Sequence, residues 1–447
     1  MTLLNTFRRY LATKTKCACI LNTQCLPVLI CVELLIGQEY TAEMIIRKAY
    51  KFRLKPSKEQ RELLCHFSGC CRFLWNKCLR LSLDRLDSKQ PIIWYQEMAF
   101  WLKFWKQSDD YGFLKTCHSQ VLQQKLKDLD RAFRDGFDKK QPLKRIPRFR
   151  KKFLGDSFRF PQGFKIDNRR VYLPKIGWVG FYKSCDIVGT PKNMTISRQG
   201  SHWYCSIQVE YEISDTIVPK AKRSVGIDLG IIQFAALSNG QMIHPLNAFK
   251  RIQKYLARLQ RKLAKKVKFS ENWKKLKRKI SCIHTRAAHM RRDFLHKCST
   301  HLSKSHAMVA VEDLQIRNMS RSSQGDVEVP GKNVKAKSGL NRSILDQGWG
   351  EFQRQLEYKL NWCGGVLVKV DPKYSSQKCS SCGFVSCQNR QDQAHFHCQD
   401  CGYQANADTN AAKNILAAGH AVLACGERGL PRSVKQEPLR NCERVAA

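Results

Sequence analysis

Four cysteines, arranged as two Cys-x-x-Cys pairs, constrain the fold of this chain more than any other feature. The pairs are Cys379/Cys382 and Cys398/Cys401, and fifteen residues separate Cys382 from Cys398. Each pair can turn two sulfur atoms toward one point, which suits a tetrahedral Zn²⁺ ion. A disulfide or a chance cluster is the alternative. We predict a structural zinc site with these four ligands, in a small metal-bound module over residues 373–404.

The charge of the chain narrows the class of partner. The chain has 447 residues, 79 Lys and Arg against 37 Asp and Glu, and a formal net charge of +42. Such an excess of positive charge repels itself unless a polyanion binds, so nucleic acid is the first partner to consider. A basic membrane-surface protein is the alternative, but no isolated amphipathic anchor dominates the sequence.

The cysteine content and the front of the chain indicate a location. The 21 cysteines are an odd number in a chain too large to need disulfides, which is typical of free thiols in a reducing compartment. Residues 26–36 are apolar but fall short of the ~20 residues that a membrane span needs. We expect a cytoplasmic, nucleoid-associated protein with no membrane partner. Residues 1–43 share no pattern with the rest of the chain, and we expect a non-native or disordered extension there, or a native start at Met44.

Two kinds of periodicity divide the first half of the chain. A first strand is followed by Ser57 and Gln60, which are spaced as a capping box, and helical periodicity then predicts a helical domain over residues 56–138. The aromatic residues of that domain are more typical of a core than of base-stacking platforms. Beyond it the period changes to two, with strict alternation from Trp203 to Tyr211. We predict a small β-barrel or sandwich from about residue 142 to residue 214.

The order of elements in the second half predicts an α/β domain. An apolar strand ending at Asp228 leads into a hairpin of two further strands, and two amphipathic helices follow. A fourth apolar strand then runs into Glu312, and a last helix opens near Asp408. Helices packed on a hairpin-led sheet form an α/β layer architecture, and this order resembles the ribonuclease H fold. We predict the α/β domain over residues 222–372 and 405–418, and a flexible tail over residues 419–447.

The two amphipathic helices of that domain are intensely basic. Between Phe249 and Lys297 there are eighteen Lys and Arg and only two acids, Glu271 and Asp293. We expect this helical hairpin to hold a nucleic-acid strand by its phosphates.

Three acids occupy positions that a ribonuclease H-like fold can bring together, namely Asp228, Glu312 and Asp408. Converging carboxylates repel one another unless a divalent cation lies between them, and Mg²⁺ prefers carboxylate oxygens. Two such ions about 4 Å apart can activate a water and stabilise the departing 3′ oxygen of a phosphodiester. We predict that the three acids are catalytic and bind Mg²⁺.

Each of the three acids has an alternative interpretation. The VGIDLG segment around Asp228 also matches the phosphate-binding strand of sugar kinases and actin-like ATPases, although further glycine-rich phosphate loops are not found in the sequence. Asp313 could replace Glu312, but Glu312 lies nearer the apolar strand. Asp408 could be the N-cap of the last helix.

Several motifs, in order and in spacing, resemble the TnpB (OrfB) family of insertion-sequence proteins, which are relatives of the type V CRISPR effector nucleases. The motifs are RKAYKFRLKPSKEQ, GCCRFLWNKCL, GIDLG, AVEDL, GLNRSILDQGWGEF, DPKYSSQKCSSCG and FHCQDCGYQANADTNAAKNI. The resemblance covers about residues 45–416. It implies a RuvC-like nuclease domain with an inserted zinc ribbon, in which the three acids and the four cysteines named above match the catalytic and zinc-binding residues of the family.

The same resemblance implies partners and an activity. A guide RNA from the protein's own element would direct a Mg²⁺-dependent DNA endonuclease to double-stranded DNA beside a short motif, and base pairing would read the sequence. The strand of residues 44–55 and the β-region of residues 139–221 would form one split, wedge-like β-barrel, and the helical domain would form a recognition lobe. We expect a monomer bound to its RNA. A nuclease-silent RNA-guided DNA-binding repressor and a transposase that itself joins strands are the alternatives.

Overall fold

The computed structural model describes residues 44–141, 143–152, 155–213, 223–326 and 328–424. The predicted extension over residues 1–43 lies outside these ranges, as does the predicted tail beyond residue 424. Helices and sheets both contribute to the fold, so the predicted mixed α/β class is confirmed. Across the described ranges, no helix is both long enough and apolar enough to span a membrane.

The front of the chain is one strand followed by helices. The elements are β1 (Met44–Lys55), α1 (Lys58–Asp87), α2 (Tyr95–Gln107), a 3₁₀-helix (Asp109–Thr116) and α3 (Ser119–Phe137). The predicted capping box starts α1, because the Ser57 hydroxyl accepts from the backbone N–H of Gln60 and the Gln60 side chain accepts from that of Ser57.

A seven-stranded sheet combines β1 with the strands that come after the helices. These strands are β2 (Ser157–Phe160), β3 (Lys165–Asp167), β4 (Arg170–Leu173), β5 (Gly177–Tyr182), β6 (Thr190–Gln199) and β7 (His202–Ile213). Their order is β2-β6-β7-β1-β5-β4-β3, so β1 lies in the middle of the sheet. The predicted alternation in β7 is confirmed, since Trp203, Cys205, Ile207 and Val209 are buried in a core that the sheet shares with α1, α2 and α3.

A second, five-stranded sheet forms the centre of the other half. Its strands are β8 (Ser224–Asp228), β9 (Ala235–Leu237), β10 (Met242–Ile243), β11 (Met308–Glu312) and β12 (Val366–Val370), in the order β10-β9-β8-β11-β12. The pairings β8–β9 and β9–β10 are antiparallel, whereas β11 is parallel to both β8 and β12. The carboxyl ends of β8 and β11 therefore lie at the same edge of the sheet.

Helices cover both faces of the five-stranded sheet. They are α4 (Ala248–Ala264), α5 (Glu271–Ser305), α6 (Ile316–Met319), α7 (Val334–Gln347), α8 (Trp349–Trp362) and α9 (Ala407–Ala424). Val309 and Val311 of β11 pack against α5 and α8. Met308 and Ala310, which alternate with them, pack against Ile415 of α9 on the opposite face.

The last helix is longer than the sequence predicts. We expected a flexible tail from residue 419, but α9 continues to Ala424. A Cβ atom added at Gly419 would lie 2.7 Å from the Ala310 Cβ, so the helix rests directly on β11 at this point. Packing against the sheet keeps these six residues helical, which the local sequence does not indicate.

Candidate active site and metal centre

Asp228, Glu312 and Asp408 meet at one edge of the five-stranded sheet. Asp228 ends β8 and Glu312 ends β11, and these strands are parallel neighbours with Val311 opposite Ile227. Asp408 lies in the first turn of α9, which packs across both strands. The fold thus brings together all three acids that the sequence selects, from three separate parts of the chain.

Gly226, two residues before Asp228, makes the close approach of α9 possible. A Cβ atom at this position would lie 2.1 Å from the carbonyl oxygen of Ala412 and 2.6 Å from the backbone nitrogen of Leu416. Only glycine fits where a helix backbone contacts a strand this closely. Gly226 of the VGIDLG segment therefore has a packing role, which the alternative of a phosphate-binding strand does not require.

The electrostatics of the site follow from burial and from like charge. Burial, together with the carboxylates of Glu312 and Asp408, raises the pKa of Asp228 to about 7, and the positive charge of Arg390 opposes this rise. Burial also raises the pKa of Glu312, against a hydrogen bond from Ser375 that favours the ionised form. A bound cation would stabilise the ionised form of these carboxyl groups, because it removes the repulsion between them.

Neighbouring side chains hold two of the three acids in place. The Ser375 hydroxyl donates to Glu312 Oε1 over 2.6 Å, and Gln353 Nε2 donates to the Glu312 carbonyl oxygen over 2.9 Å. Arg390 Nη2 donates to Asp408 Oδ1 over 3.3 Å.

The alternative role of Asp408 as a helix cap is wrong. Asn406 Oδ1 accepts from the backbone N–H groups of Asp408 and Thr409, at 3.0 and 3.2 Å. Because Asn406 caps α9, the Asp408 carboxylate does not serve the helix start and reaches the acid cluster instead.

Sequence reasoning missed three of the residues that support the acids: Ser375, Gln353 and Arg390. A signal for Arg390 was present, because it is the only Lys or Arg between Cys382 and Cys398. Ser375 lies in the DPKYSSQKC motif, but nothing there singles it out. Gln353 carries no sequence signal, since its burial depends on the packing of α8 against the sheet.

The four predicted cysteines form one compact cluster that could hold a metal ion. All four sulfur atoms lie within 4.8 Å of one another, with Cys379–Cys401 at 3.7 Å and Cys382–Cys398 at 3.6 Å. A tetrahedron with Zn–S bonds of about 2.3 Å has S–S edges of roughly 3.8 Å. No second group of three His, Cys, Asp or Glu comes this close within the described part of the chain, so the three acids stand further apart than the thiols.

Both cysteine pairs have the same local backbone. Gly383 has φ +83° and donates to the carbonyl oxygen of Cys379 over 3.0 Å, and Gly402 has φ +71° and donates to that of Cys398 over 3.1 Å. The left-handed conformation closes each turn, and glycine adopts it without steric cost. Two equivalent turns thus present the two pairs of sulfurs to each other, as the spacing predicts.

The cysteine cluster is fastened to the helix that carries Asp408. The buried Asn410 of α9 accepts from the backbone N–H of Ser380 over 2.9 Å and donates to the carbonyl oxygen of Lys378 over 2.8 Å. Asn414, one turn later, donates to the same Lys378 oxygen over 2.7 Å and to that of Ser375 over 2.9 Å. The cysteine cluster and the acid cluster are therefore both joined to α9.

Comparison with known proteins establishes the family. Residues 206–323 match a family model described as "Probable transposase", residues 349–415 a "Cas12f1-like, TNB domain" and residues 44–90 a "Helix-turn-helix domain". The chain is 49% identical over 402 residues to "Putative RNA-guided DNA endonuclease InsQ" of Escherichia coli (strain K12), an alignment that covers 89% of this chain and 99% of that protein. The chain belongs to the TnpB (OrfB) family.

Two further comparisons place this TnpB chain among its relatives. A Streptomyces pristinaespiralis protein with the same RNA-guided DNA endonuclease description is 34% identical over 411 residues, covering 88% of this chain and 97% of that protein. A cryo-EM structure of a Cas12f1-sgRNA-target DNA complex aligns with 18% identity over 83% of this chain and 99% of that chain, with a TM-score of 0.31. Residues 44–90 of this TnpB form a strand and one long helix, β1 and α1, rather than two short helices.

Proposed function

We propose that this TnpB protein is a transposon-encoded, RNA-guided DNA endonuclease that hydrolyses phosphodiester bonds at Asp228, Glu312 and Asp408. The observation that carries the proposal is the meeting of these acids at one sheet edge, where burial and repulsion raise the pKa of Asp228 to about 7. The sheet order β10-β9-β8-β11-β12, with its leading hairpin and parallel centre, supports a RuvC-like, ribonuclease H-like domain. The descriptions of InsQ and of the Streptomyces relative support the RNA guide and the DNA substrate.

The side chains of the site have different roles. Asp228, Glu312 and Asp408 would hold Mg²⁺, which supplies an activated water and charge stabilisation for the departing 3′ oxygen when bound. Ser375 fixes one oxygen of Glu312 by its hydrogen bond. Arg390 lies against Asp408 and offsets part of the negative charge of the cluster.

The remaining assignments follow the predicted division of the chain. We assign a structural Zn²⁺ to the four thiols, since their spacing matches a tetrahedral thiolate site. The split seven-stranded sheet serves as the wedge and the region of α1, α2 and α3 as the recognition lobe for guide and target. The net charge of +42 suits a protein that holds both an RNA and a DNA duplex.

The decisive experiment is plasmid cleavage by protein purified together with its RNA, with Mg²⁺ and with a chelator. We expect Asp228→Asn to lower the cleavage rate about a hundredfold or more, because the metal loses a ligand. The matched control is Asp313→Asn, which changes the neighbouring acid and should cut at the wild-type rate. Equal cutting by Asp228→Asn would exclude the proposed chemistry, and tight target binding without any cutting by the wild-type protein would favour the repressor.

A further inference from the structure

The connection between α4 and α5 exposes apolar side chains to solvent. It comprises residues Lys265–Ser270 between the two helices. Val267 is 79% exposed and Phe269 is 66% exposed, and the Phe269 ring lies 5.4 Å from the ring of Trp273 in the first turn of α5. We call residues 265–277 the hairpin tip. The aromatic pair of the tip contributes little to the core of its own chain.

The backbone of the tip holds the Phe269 ring in this exposed position. Phe269 has φ +69°, in the left-handed region that a bulky residue rarely adopts. The conformation is strained, and burial of the ring does not offset the strain. A strained and exposed aromatic residue indicates a role in binding rather than in folding.

Lysines surround the aromatic pair. Lys268 Nζ lies 5.7 Å from the centroid of the Phe269 ring, and Lys277 Nζ lies 4.6 Å from that of Trp273. Glu271 is the only acid of the tip, and Lys274 pairs with it over 2.8 Å. The tip therefore combines the exposed Phe269 ring, beside the half-buried Trp273, with an excess of positive charge, which is the combination that binds unpaired bases and their phosphates.

The tip stands on the side of the sheet where the acids lie. Helix α5 ends at Ser305, just before β11 begins, and it runs back across the sheet. Its Phe294 ring lies 5.1 Å from that of Phe234, which is two residues from Ala236, the partner of Asp228. The part of α5 before Phe294 therefore extends past the acid-bearing edge. This part is about twenty residues long, and a helix of that length spans roughly 30 Å.

We propose that the hairpin tip binds an unpaired segment of the DNA strand that leads to the acid cluster, with bases stacked on Phe269 and Trp273 and phosphates held by the lysines. Stacking requires open base faces, so a single strand suits the tip and an intact duplex does not. The choice of DNA rests on the proposed function, because the first part of α5, which carries the tip, extends from the sheet edge where DNA would be cut.

The test is the affinity of the full chain for a labelled single-stranded oligo(dT) and for a duplex of the same length. Phe269→Gly removes the ring and relieves the left-handed backbone, so stability should be unchanged or raised. We expect this variant to bind oligo(dT) about tenfold more weakly and the duplex as before. Val267→Ala, which trims a more exposed but non-aromatic side chain of the same tip, should change neither affinity.

Two affinity results would overturn the proposal. One is unchanged oligo(dT) affinity in Phe269→Gly, and the other is an equal loss on single strand and duplex, which would assign the tip to general charge attraction. The strand is identified by photo-crosslinking in the complex with RNA and target DNA. A cross-link from 5-bromodeoxyuridine in the DNA to Trp273 supports the proposal, and a cross-link from 4-thiouridine in the RNA without one from DNA overturns it. Both readouts measure binding, so they are independent of whether Asp228→Asn abolishes cleavage.

Discussion

Asp228 has two carboxylates, Glu312 and Asp408, as its electrostatic neighbours and is largely enclosed by the strands and helix that place it. The Ser375 hydrogen bond and the Arg390 cation offset part of the unfavourable interaction. Without a cation, the remaining repulsion opposes folding. A residue that we propose to be catalytic therefore lowers the stability of the metal-free protein.

We expect Asp228→Asn to raise the free energy of unfolding of the metal-free protein by about 1 to 3 kcal/mol at pH 8. The folded state raises the pKa of this carboxyl from 3.8 to about 7, so it binds the proton more tightly than the unfolded state does. The contribution of this carboxyl group to the stability of the wild-type protein is therefore fully present below pH 3.8, and it declines as the pH rises through about 7. The advantage of the variant should shrink as the pH falls.

Urea unfolding in the presence of a chelator measures this difference across pH. Asp313→Asn is the control and should bring no comparable gain, because Asp313 lies one residue beyond the strand end. A variant less stable than wild type at pH 8 would contradict the prediction.

At the scale of elements, the contact between β8 and α9 assembles the site. Gly226 of β8 faces the backbone of α9 at Ala412 and Leu416, and Gly419 of α9 faces β11. The two glycines let the helix lie directly on the strands, so that its first turn reaches the carboxyl edge. The position of α9, and with it that of Asp408, therefore depends on the lack of a side chain at Gly226 and at Gly419.

Gly226→Ala should lower the free energy of unfolding by about 1 to 3 kcal/mol, as overpacking does. It should also reduce cleavage more than this loss of folded protein explains, because α9 must move away from Asp228. Chemical denaturation and the cleavage rate at a temperature where the variant is folded measure the two effects. Gly339→Ala in α7 is the matched control: a Cβ there meets nothing within 4 Å, and alanine should be neutral or slightly stabilising. Equal behaviour of the two variants would exclude the packing role of Gly226.

At the scale of the whole molecule, the proposed ribbon connects two parts of the proposed active site. It lies in sequence between β12 and α9. Ser375, just before the first cysteine pair, contacts Glu312, and Arg390, between the pairs, contacts Asp408. Asn410 joins α9 to the backbone beside Cys379. Loss of zinc from the cysteine cluster should therefore disturb Glu312 and Asp408, although these acids do not contact the metal.

Cys398→Ser should abolish zinc binding and lower the cleavage rate at least about tenfold, because outer contacts that orient a site are worth roughly this factor. Metal content by mass spectrometry, thermal unfolding and plasmid cleavage measure the effect. Cys387→Ser changes an exposed cysteine outside the four-sulfur cluster and should keep zinc and activity. Full cleavage by a zinc-free Cys398→Ser protein would show that the ribbon and the acids are independent.

The sequence by itself determined what depends on local geometry and on total charge. The spacing of the cysteine pairs determined the sulfur cluster, because each turn closes through its own hydrogen bond to a following glycine. The capping box of α1 and the alternation of β7 followed from nearest-neighbour stereochemistry. The charge of +42 pointed to a polyanionic partner without any knowledge of the fold.

Only the tertiary structure decided how distant segments come together. It placed Asp408 beside Asp228 through the glycine contacts of α9, and it extended that helix to Ala424 by packing on β11. It also brought Arg390 and Gln353 to the acids, although neither residue is close to them along the chain. Such contacts depend on the burial of apolar faces between elements far apart in sequence, and local residue preferences do not encode that arrangement.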